Sequence, residues 1–304
     1  MIYIKRNIIL FGLIVSIIVL AFLSTPKKQK PLEDIVQEEL DVETMQEEEQ
    51  DEVESDFQRF AQREDPVRDF LSERLKKAAD FFFSNEINVV AIGDSLTAGS
   101  GDETENGGYV GVLDETINDN KKIVDLTNHG KPGNRSSQLI ERLEENDIQK
   151  SIKQAHIVLI TIGANDIMHV FKNNFTDLST IDPFTSEQIR YEQRLETIFS
   201  MIQGINEDTE IYLIGFYNPF KAYFSDIEEL DYIVDSWNTI GETVAGKFDN
   251  GHFIPMVDIF DDVNDIYLAD DNFHPNHFGY QLMAERILQS VMNESGVVDE
   301  ENEE

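Results

Sequence analysis

This sequence predicts an α/β fold built on a five-stranded parallel sheet, and three observations predict it. Five short apolar runs, at residues 87–92, 122–126, 156–162, 210–216 and 252–257, are largely Val- and Ile-rich, as strands buried on both faces are. Stretches of helical period separate them, giving the β-α-β-α alternation of a sheet covered on both sides. Polar clusters follow the carboxyl ends of several runs, and that edge is where open α/β sheets bind ligands.

Composition narrows the function. The chain has 304 residues, with 24 Lys and Arg against 60 Asp and Glu, a net charge of −36 and no Cys. That charge excludes a nucleic-acid partner that needs a basic face. The missing Cys excludes disulfides, thiolate zinc sites, a Cys nucleophile and a lipid-modified N-terminal Cys. Residues 1–84 carry 11 basic and 18 acidic residues, so residues 85–304 hold the remaining 13 basic and 42 acidic ones, a net of −29. The folded part is therefore strongly acidic itself, as a solvated surface or as adaptation to saline or alkaline surroundings.

Along the chain, residues 1–30 come first. Lys5 and Arg6 precede an apolar run at residues 8–23, broken only by Gly12 and Ser16. As a helix it spans roughly 24 Å, short of the ~30 Å hydrocarbon core of a bilayer, and Asn7, Ser24 and Thr25 can extend it. A cleaved signal peptide is the competing reading, but Ala21-Phe22-Leu23 makes a poor cleavage site. The segment reads as an uncleaved membrane anchor. Residues 31–84 form an acidic linker and a lead-in helix: residues 31–56 hold 13 Asp or Glu and no Lys or Arg, and residues 57–84 carry apolar positions at helical spacing. The α/β domain occupies residues 85–292. Its helices are expected at residues 110–117, 136–145, 188–205, 227–248 and 275–292. Residues 171–184, with Phe171, Phe175 and Phe184, read as an irregular loop on the ligand-binding edge, the source of specificity or else simply a packed surface loop. Residues 293–304 form an acidic, frayed tail.

The chemistry sits in four clusters. The first run ends in Gly93-Asp94-Ser95-Leu96 and the second in Asn128-His129-Gly130-Lys131-Pro132-Gly133; the third ends in Gly163-Ala164-Asn165-Asp166. Asp271-Asn272-Phe273-His274-Pro275 follows the fifth. A Ser becomes nucleophilic beside a base, and a His oriented by a carboxylate supplies one. Acyl transfer also needs donors for the developing oxyanion, such as a glycine amide and an Asn side chain. Alone, Gly93-Asp94-Ser95 is an ordinary strand-to-helix turn. Four such blocks in order are a much stronger signal.

The blocks resemble those of the SGNH, or GDSL, hydrolase family over about residues 87–292. Gly93-Asp94-Ser95-Leu96 matches the first block literally, Gly133 stands at the oxyanion glycine of the second, Gly163-Ala164-Asn165-Asp166 matches the third, and Asp271 with His274 matches the last. The resemblance implies a flavodoxin-like three-layer sandwich and a serine esterase or acylhydrolase with no metal and no cofactor. It implies Ser95 as nucleophile, His274 as base and Asp271 as its orienting acid. Ser95, Gly133 and Asn165 would form the oxyanion hole. With the N-terminal segment, it is similar to an extracytoplasmic, membrane-anchored Gram-positive branch. The implied partners are the membrane and an ester substrate, an acyl or acetyl ester of a lipid or cell-wall glycan. The alternative from another class is a catalytically silent module of the same fold that recognises acylated glycans. Asp94 and Asp166 read as structural in their turns, His156 and His252 as structural at strand starts, and His129, His169 and His277 lie near the site. The acidic run that includes Asp258, Asp261, Asp262 and Asp265 has no calcium-loop spacing and reads as a solvated face.

Overall fold

The computed structural model describes residues 87–118, 122–174, 182–218, 221, 228–261 and 267–294. The anchor, linker and lead-in helix expected over residues 1–84 lie outside the described residues, as does the tail beyond Glu294.

Five strands, β1 (Ile87–Gly93), β2 (Val124–Gly130), β3 (Ile157–Thr161), β4 (Glu210–Ile214) and β5 (Gly251–Ile254), form one parallel sheet in the order β2-β1-β3-β4-β5. The helices are α1 (Gly108–Asn118), α2 (Ser136–Arg142), α3 (Asn146–Lys153), α4 (Ala164–Asn174), α5 (Asp182–Ile205), α6 (Glu228–Ala245), α7 (Val257–Asp261) and α8 (His277–Glu294). With right-handed crossovers, this strand order sends α1 to one face and α2–α6 to the other. Accordingly α8 packs on α1, while α5 packs on α2, α3, α4 and α6. The central strands are almost wholly apolar because both faces are covered: Val90, Ile92, Val158, Ile160, Ile211 and Leu213 are all buried.

The order in which strands are added reverses between β1 and β3, and such a switch point opens a crevice at the carboxyl edge. The register aligns the strand ends there, pairing Gly93 with both Gly130 and Thr161. Three polar loops consequently leave the sheet side by side.

Several expectations are corrected. The second strand begins at Val124 and runs on through Asn128, His129 and Gly130, so part of the second cluster is strand. The fifth strand stops at Ile254, because Pro255 has no N–H to donate to a ladder. The helix expected over residues 136–145 ends at Arg142 as α2, and α3, which begins at Asn146, was not expected. Residues 171–174 and 182–184, expected to be irregular, close α4 and open α5. Phe171 and Phe184 are buried in the core, so apolar burial rather than pocket lining explains them. Phe175 lies outside the described residues. Asn293 and Glu294, expected in the tail, complete α8.

Candidate active site

The first loop is held from beneath. Gly93 has φ +153°, and a Cβ there would lie 2.1 Å from the Thr161 carbonyl oxygen, so only glycine lets β1 run this close to β3. Asp94 then donates its backbone N–H to that carbonyl at 3.1 Å. Its buried carboxylate accepts from the Leu96 amide (3.1 Å) and the Thr161 hydroxyl (2.9 Å). Because Thr161 spends its one proton on Asp94, Thr97 must donate to Thr161 (2.7 Å) and Tyr109 to Thr97 (2.9 Å). Burial pushes the Asp94 carboxyl up to about 6, against the pull of its two hydrogen bonds and of nearby His274. Asp94 therefore shapes the turn that carries Ser95.

Ser95, His274 and Asp271 come together as one chain of contacts. Ser95 Oγ lies 3.0 Å from His274 Nε2, and His274 Nδ1 lies 2.6 Å from Asp271 Oδ2. Burial raises the Asp271 carboxyl, but bonds from the His274 side chain and from the His274 and Phe273 amides outweigh it, leaving the group below its ordinary value. An ionised Asp271 only accepts, which assigns the proton to Nδ1 and leaves the Nε2 lone pair to the Ser95 hydroxyl. The His274 loop is braced from both sides. Tyr217 donates to the Phe273 carbonyl (2.7 Å), and Ala269 donates to the His274 carbonyl (2.8 Å). A Cβ on Gly101 would sit 2.7 Å from the His274 Cβ, so the loop after Ser95 runs close against the base of the His274 side chain.

Gly133 belongs to a turn closed by the Asn134 amide on the Lys131 carbonyl at 3.1 Å. Pro132 in its second position and Gly133 at φ +77° in its third are the residues a type II turn requires. Asn165 stands in the first turn of α4. Within the described residues, the Ser95 and Gly133 amides and the Asn165 side-chain amide donate no hydrogen bond. All three lie just beyond the carboxyl ends of strands, at the same sheet edge.

Asp166 and the remaining histidines serve the frame. Asp166 is buried and accepts from the Ser136 amide (3.0 Å), the Ser136 hydroxyl (2.8 Å) and Arg194 (3.2 Å); burial raises its carboxyl. It thus ties the start of α4 to the start of α2. His129 turns to Ser151 at 3.0 Å and His169 to Asn173 at 3.1 Å. His156 accepts from the Asn88 amide, and His252 meets Glu210 and stacks on Tyr212. His277 contacts Thr104 at 3.3 Å and the buried Asp102 carboxylate at 3.4 Å, clasping the loop after Ser95 to the start of α8. Asp258 is held by Arg286 at 2.6 and 3.0 Å; Asp262 and Asp265 lie outside the described residues.

Sequence reasoning missed Arg142, Tyr217 and the Thr97–Thr161–Tyr109 chain. A signal for Arg142 existed. It lies three residues after Leu139 and one before Leu143, both fully buried, so helical period turns it inward.

Against this geometry stand the comparisons with known proteins. The model of the GDSL-like lipase/acylhydrolase family matches residues 91–282, a stretch that contains all four blocks. The chain belongs to that family. YpmR, an uncharacterised protein of Bacillus subtilis, is 37% identical over 227 residues, covering 73% of this chain and 88% of YpmR. The spore germination lipase LipC of Bacillus licheniformis is 26% identical over 213 residues, covering 66% of this chain and 94% of LipC. Among solved structures, a lipase from a goat-rumen metagenome matches with a TM-score of 0.59 at 23% identity, over 67% of this chain and 97% of its own. An acetylxylan esterase from Geobacillus stearothermophilus matches at 0.51 and 20% identity, over 67% and 94%. These two likenesses establish the GDSL-type α/β fold.

Proposed function

We propose that this GDSL-family hydrolase is an extracytoplasmic, membrane-anchored serine esterase that cleaves acyl or acetyl esters of lipids or cell-wall glycans. The observation that carries the reading is the unbroken Ser95–His274–Asp271 chain, with contacts of 3.0 and 2.6 Å. His274 Nε2 takes the proton as Ser95 Oγ bonds to the ester carbonyl carbon. Asp271 stabilises the resulting imidazolium. The carbonyl oxygen becomes an oxyanion between the Ser95 and Gly133 amides and the Asn165 side chain. Collapse of the tetrahedral species breaks the carbon–alkoxy bond, and His274 returns its proton to the departing alcohol. Water, deprotonated by His274, then attacks the acyl-enzyme; collapse releases the acid and restores the Ser95 hydroxyl.

The apolar run at residues 8–23, flanked by Lys and Arg, supports the anchor, and the acidic linker holds the domain away from anionic lipid. Likeness to the LipC lipase supports a lipid ester, and the surface of a Gram-positive cell supplies acylated glycans as the competing substrate.

The test starts from the full-length chain and a fluorophosphonate probe. Wild type should be labelled and Ser95→Ala should not. Esters of graded acyl length and acetylated glycans then separate the two substrate classes. Binding of acylated glycan without labelling or turnover would make the protein a silent module and overturn the proposal. Protease added to intact cells should release an active fragment; full protection would reject the topology.

A further inference from the structure

Arg142 lies on the last turn of α2, is 9% exposed, and faces no substrate-binding surface described above. Its guanidinium makes three contacts. One nitrogen donates to the Asn134 side-chain oxygen at 2.8 Å and reaches the Gly93 carbonyl at 3.4 Å; the other donates to the His129 carbonyl at 2.7 Å. Every acceptor is neutral. Among the described residues, no carboxylate lies within ion-pair distance of this buried cation; Glu145 and Asp147 attract it only from further off, and burial outweighs them.

The three acceptors share a position in the fold. His129 belongs to the end of β2, just before the Lys131–Asn134 turn, and Asn134 closes that turn. Gly93 is the last residue of β1, two before Ser95. The Gly93 carbonyl also accepts the Lys131 amide at 3.0 Å. Arg142 therefore grips the entry and the exit of the turn that carries Gly133, and touches the strand that delivers Ser95. Residues 131–133 are exposed, and a Cβ placed on Gly133 would meet nothing within 4 Å, so hydrogen bonds rather than packing hold the turn. The other end of α2 is fixed independently, by Ser136 on the buried Asp166 beside Asn165.

We infer that Arg142 is a positioning residue for the oxyanion hole, holding the Gly133 amide in register with the Ser95 amide. This rests on the esterase reading above. It explains why an arginine stands here. Only a planar fork reaches a side-chain oxygen and a backbone carbonyl on two segments together; a Lys offers one point charge. A donor displaced by a fraction of an ångström no longer meets the oxyanion, although the ground-state ester binds as before.

The experiment compares wild type, Arg142→Lys and Asn134→Ala as full-length proteins on 4-nitrophenyl acetate, with active sites counted by fluorophosphonate burst. Arg142→Lys keeps the charge and loses the fork; Asn134→Ala keeps the arginine and removes its grip on the turn. Each should lower kcat per active site by about 10- to 100-fold while KM stays within about threefold. The acidic limb of the pH–rate profile should stay in place, because the Ser95–His274–Asp271 chain is untouched. The double variant should be no slower than the slower single one, since both act through one turn. A purely structural role gives another pattern: fewer active sites or a lower Tm, with wild-type kcat per site. That pattern, or kcat within about threefold of wild type in both variants, overturns the inference. If Arg142→Lys does not fold, Asn134→Ala alone decides. A wild type that neither labels nor turns over sinks the esterase reading itself, which is a distinct result from active variants beside an active wild type.

Discussion

Replacing Asp94 by Asn should stabilise the protein in alkaline solution and do little in acid. Asp94 is 2% exposed, and burial raises its carboxyl from 3.8 to about 6, while the Thr161 and Leu96 bonds and His274 pull the other way. A group raised in the folded state favours folding fully below its unfolded value, and that contribution is lost as pH rises through its folded value. The window therefore runs from about pH 4 to about pH 6. Two units at 1.36 kcal/mol each give a cost of about 3 kcal/mol for carrying the ionised carboxylate at pH 8. Asn keeps an oxygen to accept from Thr161 and Leu96, and its amide stands where the protonated acid would carry its proton. The Asn variant should then gain on wild type steadily from pH 4 to pH 6 and hold an advantage of that order at pH 8. Urea unfolding of both proteins at pH 4, 5, 6 and 8 reads this directly. A stability difference that does not change with pH, or that favours wild type more as pH rises, would refute the reasoning.

The other predictions address catalysis. Asn165→Ala should lower turnover by about 10²- to 10³-fold with little change in KM, as steady-state kinetics on a single ester will read. Ser95→Ala and His274→Ala should each abolish nearly all turnover, by about 10⁴-fold or more, and Asp271→Asn should cost less. His277→Ala and Asp270→Ala should be mild on the same ester; a severe loss in His277→Ala beside a mild one in His274→Ala would reverse the assignment. Gly101→Ala forces a Cβ to 2.6 Å from the Pro275 carbonyl oxygen and 2.7 Å from His274 Cβ, so kcat should fall by about 10²-fold, measured against the Tm of the same variant.

The sheet was legible because its signal is local. Runs such as those around Val90 and Val158 are apolar on both faces, and only a strand covered twice needs that. What escaped is decided by neighbours distant in sequence. Phe171 and Phe184 gave no period long enough to be called helical, yet both enter the core from either side of residues 175–181. Helix α3 escaped because Asn146–Lys153 is short and mostly polar, with Ile148 and Ile152 alone turned into the core.

The site divides along the same line. Ser95, Gly133, Asn165, Asp271 and His274 are legible as blocks, since each residue type has few uses at the end of a strand. Their supports are not, because a support is defined by what it touches. Thr161 is an unremarkable strand residue until its hydroxyl is seen on Asp94 at 2.9 Å. The two histidines of α8's entry make the point most sharply. His274 and His277 stand three residues apart, and each has a carboxylate within 3.4 Å. The last family block selects His274, but residue type alone does not separate them. The carboxylates do: Asp271 is 45% exposed in its side chain, on the loop that carries His274, whereas Asp102 is fully buried and already committed to Thr104 and the Gly108 amide. A base must shuttle protons at a surface that substrate can reach, with a carboxylate on its other nitrogen to stabilise the imidazolium it becomes. Only the first pair also touches a serine, Ser95, and so only that pair is placed to do so.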